Sequence, residues 1–175
     1  MIMLRTNCGF DGWNDTYNIG EARLDAQRKA LVEQFHEALD AFGDSGRTKA
    51  SRGLYDKLVE HIGIHFAAEE RLMKDVGYPE LQYHKRVHKV LMTEAATINR
   101  RLQNDVDTVT LRTDAGFLWS LVIGHLTLCD VKLRDHLLQC GRASGEPRRI
   151  DRKEYARFRM PSSFTSPGLL VNGPD

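Results

Sequence analysis

His65 and Glu69 stand four residues apart in "HFAAEERLM", and His84 and His88 repeat that interval in "YHKRVH". Four residues make about one helical turn, so the members of each pair leave the same face and can reach one ion. A third stretch, "HLTLCD", places His125 and Asp130 five residues apart in the most apolar part of the chain. A histidine and an aspartate buried there without partners would be costly, so they need each other or a cation. Taken singly, each pair reads as readily as surface or structural polarity. Together, four imidazoles and two carboxylates from three successive helices make the inward-facing set that metal sites use in bundle cores. Imidazole nitrogen with carboxylate oxygen suits iron, and zinc or manganese fit the same donors.

Four segments of helical periodicity must position these groups. The first spans about 19–42, with Leu24, Leu31, Val32, Phe35 and Leu39 at spacings of three and four, and "GDSG" at 43–46 stops it. The second spans about 50–76 and carries Leu54, Leu58, Ile62, His65, Phe66, Glu69 and Met73 on one stripe before "GYP". The third spans about 80–104, with Pro79 suited to its first turn. The fourth spans about 112–140 and ends near Gly141. Long amphipathic helices on short connections predict an all-α, up-down-up-down antiparallel four-helix bundle over residues 1–143, with an N-terminal arm. Residues 144–175, rich in arginine, glycine and proline, read as a solvated basic tail with one short helix near 150–159, or as a docking segment for a protein partner.

Composition narrows the function. With 25 basic and 24 acidic residues the net charge is +1, which gives no overall field for nucleic acid or an anionic membrane. Cys8, Cys129 and Cys140 are odd in number and lack CxxC spacing, so a reducing, cytoplasmic setting is expected rather than a disulfide framework or zinc finger. No run of 18 apolar residues marks a membrane span.

The five-residue step from His125 to Asp130 turns about 140° on a regular helix, so the two groups approach from different sides unless the helix widens locally. Cys129 holds the i+4 place; it can serve as a thiolate ligand or, the simpler reading, as small apolar packing. Phe66, Leu121, Val122 and Leu128 lie close enough in sequence to the ligands to form a dry shell around them, or to be ordinary core.

"WNDTYNIGEARLDAQRKAL" at 13–31, "HFAAEERLMKDVGYPELQYHKRVH" at 65–88 and "HLTLCD" at 125–130 resemble the bacterial hemerythrins, over roughly residues 10–142. The resemblance implies an oxygen-binding bundle with a non-heme di-iron centre. His84, His88 and His125 would hold one iron, His65 would help hold the other, and Glu69 with Asp130 would bridge them. Leu128 would lie over bound oxygen. Relatives often carry tryptophan where this chain has Leu121, whereas here Trp119 stands two residues earlier; Trp13 matches and would anchor the arm.

The first helix departs from the pattern. Where the family places a metal-binding histidine, this chain has Arg28, whose guanidinium stays protonated and offers no lone pair. His36 lies two turns on, about 12 Å of rise away, and is expected to be exposed. His61 is nearer, at about 6 Å, but reads as an edge position. His136 reads as a surface or capping residue at the end of the fourth helix. If Arg28 points inward, it pairs with Glu69 or Asp130 in bidentate fashion, repels a second ion and stands in for it, leaving a single-metal site on His84, His88 and His125 with one or both carboxylates; if it snorkels to solvent, two irons bind, the second weakly.

The expected function is therefore a non-enzymatic protein that binds or senses oxygen or a related oxidant, with its second iron weakened by Arg28. The alternative is a single-metal or metal-free bundle that serves as a partner-interaction module. An enzyme is a third reading, since an iron with open positions can turn over peroxide, but no separate acid, base or nucleophile constellation supports it.

Overall fold

The computed structural model describes residues 13–44, 49–104 and 107–143. The tail at 144–175, with its expected short helix, and Cys8 fall outside the described residues. A 3-10 turn at Asp15–Tyr17 leads to α1 (Ala22–Asp44), α2 (Lys49–Asp75) and α3 (Leu81–Gln103). The last rod comprises α4 (Thr108–Gly124), a π-helical turn (His125–Cys129) and α5 (Asp130–Gln139). Each helix packs on the next, and α4 closes back onto α1. This is the expected bundle of four rods, with no strand among the described residues.

The apolar stripes account for the packing. Leu31, Val32 and Phe35 of α1 meet Leu58 and Ile62 of α2, Leu91, Ala95 and Ile98 of α3, and Leu118 and Val122 of α4 in one buried cluster. A smaller cluster of Ile19, Leu24, Met73, Tyr78, Leu133 and Leu137 closes the other end. The polar groups singled out in the sequence lie at the levels of the helices between these two apolar plugs. Val109–Gln139 is long and apolar enough by composition to cross a membrane, but 61% of its most apolar window is buried inside the bundle, as expected of a core helix.

Several boundaries differ from expectation for local reasons. The N-terminal stop of α1 is set by Asp25, whose carboxylate accepts the amides of Ile19 (2.7 Å) and Gly20 (3.0 Å). Pro79 is not in the first turn of α3: it sits with Glu80 in a turn, and the helix begins at Leu81. Gly77 and Gly141 have φ of 65° and 64°, the left-handed conformation that ends α2 and α5 at little steric cost. His136 is half-buried rather than a cap of its own helix, and its Nε2 donates to the carbonyl of Val76 (3.0 Å), just beyond the end of α2.

Candidate metal centre

α2 delivers His65 and Glu69, α3 delivers His84 and His88, and the π turn with the start of α5 delivers His125 and Asp130. All six are between 0% and 3% exposed. The π turn resolves the five-residue step. The Asp130 amide bonds to the His125 carbonyl, one residue beyond the α-helical interval, so the two side chains come round to one side. His125 Nε2 lies 3.2 Å from Asp130 Oδ1.

The other contacts converge on Glu69. Its Oε2 is 3.2 Å from the Nε2 of His84, 3.2 Å from that of His88 and 4.0 Å from that of His125. His88 and His125 bring their Nε2 atoms within 2.8 Å of each other, and His84 Nε2 is 3.4 Å from Asp130 Oδ1. Ligands at right angles around an ion with bonds of about 2.1 Å stand about 3 Å apart. Most of the observed spacings fit such a shell. Glu69, His84, His88 and His125 form one possible ion site, and His65, Glu69 and Asp130 a second, with one donor atom of each residue within 4.8 Å of the others. Glu69 Oε1, both Asp130 oxygens and His65 Nε2 are buried and make no hydrogen bond, which is costly unless a cation satisfies them.

Residues behind the ligands orient them. His88 Nδ1 faces Glu70 Oε1 at 2.9 Å; because the carboxylate accepts, Nδ1–H donates and Nε2 keeps its lone pair for a metal. Lys85 Nζ, 3.3 Å from Glu70 Oε2, extends this chain to the surface. Sequence reasoning passed over Glu70, although its place beside Glu69 in the "EE" pair was a usable signal. The Phe66 ring stacks on His88 with centroids 3.8 Å apart and planes 6° from parallel, and meets His125 edge-on at 5.6 Å. Leu121 and Val122 are buried in the adjoining cluster, while Leu128 is half-buried in the π turn. A surface groove of about 470 Å³ reaches this side of the centre and is lined by Gly63, Phe66, Glu70, Lys85, His88 and Met92.

The remaining candidates separate from the site. His61 is exposed and pairs with Gln34 (2.7 Å). His36 is half-buried rather than exposed, because its ring packs on Trp119 at 5.1 Å. Trp119 itself is buried against Phe35. Cys129 lies outside both donor groups, and burial pushes its thiol up to about 12, which fits packing rather than ligation. Trp13 packs against the main core cluster.

Arg28 points inward and is 0% exposed. Its Nη2 donates to the carbonyl of Leu126 in the π turn and lies 3.4 Å from Asp130 Oδ2; its Nη1 is 3.7 Å from Asp25 Oδ1. The guanidinium thus donates to one carbonyl and has two carboxylates at ion-pair distance, instead of forming the expected bidentate pair with one carboxylate, and its Nε and Nη1 make no hydrogen bond. The Trp13 ring lies 5.9 Å from its central carbon.

Burial and the contacts among the clustered groups together set the protonation pattern. It drives His65 down to about 4 against the opposing pull of Glu69 and Asp130, with Arg28 adding to the fall, and it also lowers His125. Burial alone would raise the Glu69 carboxyl, but the imidazoles of His125, His84 and His88 hold it well below the usual carboxylate range. Burial would lower His84, yet its bond to Glu69 and the charge of Asp130 raise it. Between pH 6.5 and about 4 the unfolded chain takes up a proton at His65 that the native state refuses, so stability must fall as the pH drops through that window. Denaturant unfolding of metal-free protein at pH 7, 6 and 5 should show this decline. His65→Gln should make it shallower, leaving the part due to His125 and Glu69.

Fold and site together define a helix-bundle protein with a buried histidine–carboxylate cluster able to hold a metal ion. The family model described as the hemerythrin HHE cation binding domain matches residues 20–139, and the chain belongs to that family. It is 35% identical over 95 residues to a bacteriohemerythrin of Stenotrophomonas maltophilia (strain R551-3), covering 54% of this chain and 61% of that protein. A bacteriohemerythrin of Pseudomonas aeruginosa (strain LESB58) is 32% identical over 96 residues, covering 54% and 61%. A myohemerythrin of Theromyzon tessulatum is 30% identical over 76 residues, covering 43% and 58%. The chain thus spans about three fifths of the length of these relatives.

Proposed function

We propose that the protein is a non-heme iron domain that binds or senses dioxygen, or a related small oxidant, at the centre built on His84, His88, His125 and Glu69. The observation that carries this reading is the convergence of three imidazole Nε2 atoms on one buried carboxylate oxygen, at 3.2 to 4.0 Å. Those donors fit iron, and family membership supports the choice of metal. Asp130 Oδ1 adds an oxygen donor on the same side, and Arg28 weakens any second ion placed between His65 and Asp130.

Bound iron would supply a redox-active centre with a coordination position for a diatomic ligand. The protein's own residues do the rest. Glu70 fixes the tautomer of His88, and Phe66 holds that ring flat against α2. The apolar clusters on either side limit water access, while the groove beside Phe66 and His88 offers a small molecule a way in.

Ferrous protein prepared without oxygen should develop ligand-to-iron charge-transfer absorption in the near ultraviolet when dioxygen is admitted, whereas zinc-loaded protein should not. Bound iron that is optically unchanged by oxygen would mean a structural cation and would overturn the reading.

A further inference from the structure

We propose that the guanidinium of Arg28 is the resident cation of the second metal position, so that the chain holds one metal ion where its relatives' pattern provides for two. This rests on the reading of the first position as an iron site and deepens it.

Three observations carry the inference. The first is place. His65, Glu69 and Asp130 bring donor atoms within 4.8 Å of one another, and Arg28 enters that group with Nη2 3.4 Å from Asp130 Oδ2. The second is fixation. Its Nη2 donates to the Leu126 carbonyl, the Asp25 carboxylate lies 3.7 Å from Nη1 and the Trp13 ring 5.9 Å from the central carbon, and the side chain is 0% exposed. Leu126 lies in the same π turn that brings Asp130 into the site, so the widened turn serves both metal and arginine.

The third is charge. Asp25, Glu69 and Asp130 carry three negative charges around the site, and Arg28 with one divalent ion carries three positive. A second divalent ion would leave two uncompensated charges in a buried core and would sit against a fixed cation that cannot deprotonate. His65 then becomes a neutral imidazole beside the arginine, with its Nδ1 3.4 Å from Gln27 Oε1. One iron exchanges a single electron between its ferrous and ferric states. The loaded chain is therefore a one-electron centre.

The test is metal stoichiometry on the full chain, measured by elemental analysis after loading with ferrous iron, or with zinc, and removal of excess. Ferricyanide titration of the ferrous form gives the electron count. We expect one ion and one electron equivalent per chain for the natural sequence, and a second ion in Arg28→His. His65→Ala should retain the single ion, because Arg28 already fills that half. Two ions in the natural sequence would overturn the inference while leaving the proposed function standing. Loss of the single ion in His65→Ala would also overturn it, by placing the metal in the wrong half. No ion in the natural sequence would overturn the proposed function itself.

Discussion

Glu69→Gln is expected to weaken iron binding by more than about 100-fold while leaving the bundle folded. Changes one layer further out from a metal typically cost 10- to 100-fold, and Glu69 lies closer than that. Its Oε2 is the atom on which His84, His88 and His125 converge, and it belongs to both possible ion sites. The amide of glutamine keeps the size of the side chain but removes the negative charge. A divalent ion would then rest on neutral imidazoles, with only Asp130 to balance it. Competition against a metal-binding dye measures the affinity, and circular dichroism checks that helicity is retained. Binding within about threefold of the natural protein would remove Glu69 from the ligand set.

The second large effect concerns stability. In metal-free protein, Arg28→Leu should cost about 3–5 kcal/mol, because removing one partner of a buried ion pair leaves the other charge stranded. Asp130 is fully buried, and Arg28 is its nearest cationic side chain apart from the histidines. For a chain of this size each kcal/mol moves Tm by about 2–4 °C, so a fall of about 6–20 °C is expected. The double change Arg28→Leu with Asp130→Asn should recover part of the loss, since neither member is then a bare charge. Saturating divalent metal should also shrink the deficit, because an ion can take the place that the guanidinium vacated. A loss under about 1 kcal/mol would mean that the inward arginine is not electrostatically engaged.

The helices were readable because each carries an apolar stripe with a 3.6-residue period long enough to outweigh local ambiguity, as Leu31, Phe35 and Leu39 do in α1. The donors were readable because histidine and aspartate in apolar helical stretches demand an explanation. Their spacing also posed the choice at His125 and Asp130 that the π turn settles. What escaped the sequence depended on neighbours distant along the chain. His36 is half-buried because Trp119, 83 positions later, happens to face it. Nothing near Arg28 decides between solvent and core; the acceptor at Leu126 lies 98 residues away and becomes an acceptor for it only once the last rod is in place. The role of Glu70 depends on α3, which sets His88 opposite it. Pro79 fell outside α3 because the Gly77 turn had already redirected the chain.

Anomalous diffraction at the iron edge from crystals of the iron-loaded chain tests the central claim most directly. One peak should lie within bonding distance, about 2.1 Å, of Nε2 of His84, His88 and His125 and of a Glu69 oxygen, with the Arg28 guanidinium in place beside Asp130. Iron found away from those three imidazoles, or the six donors turned from one another in the loaded protein, would contradict it.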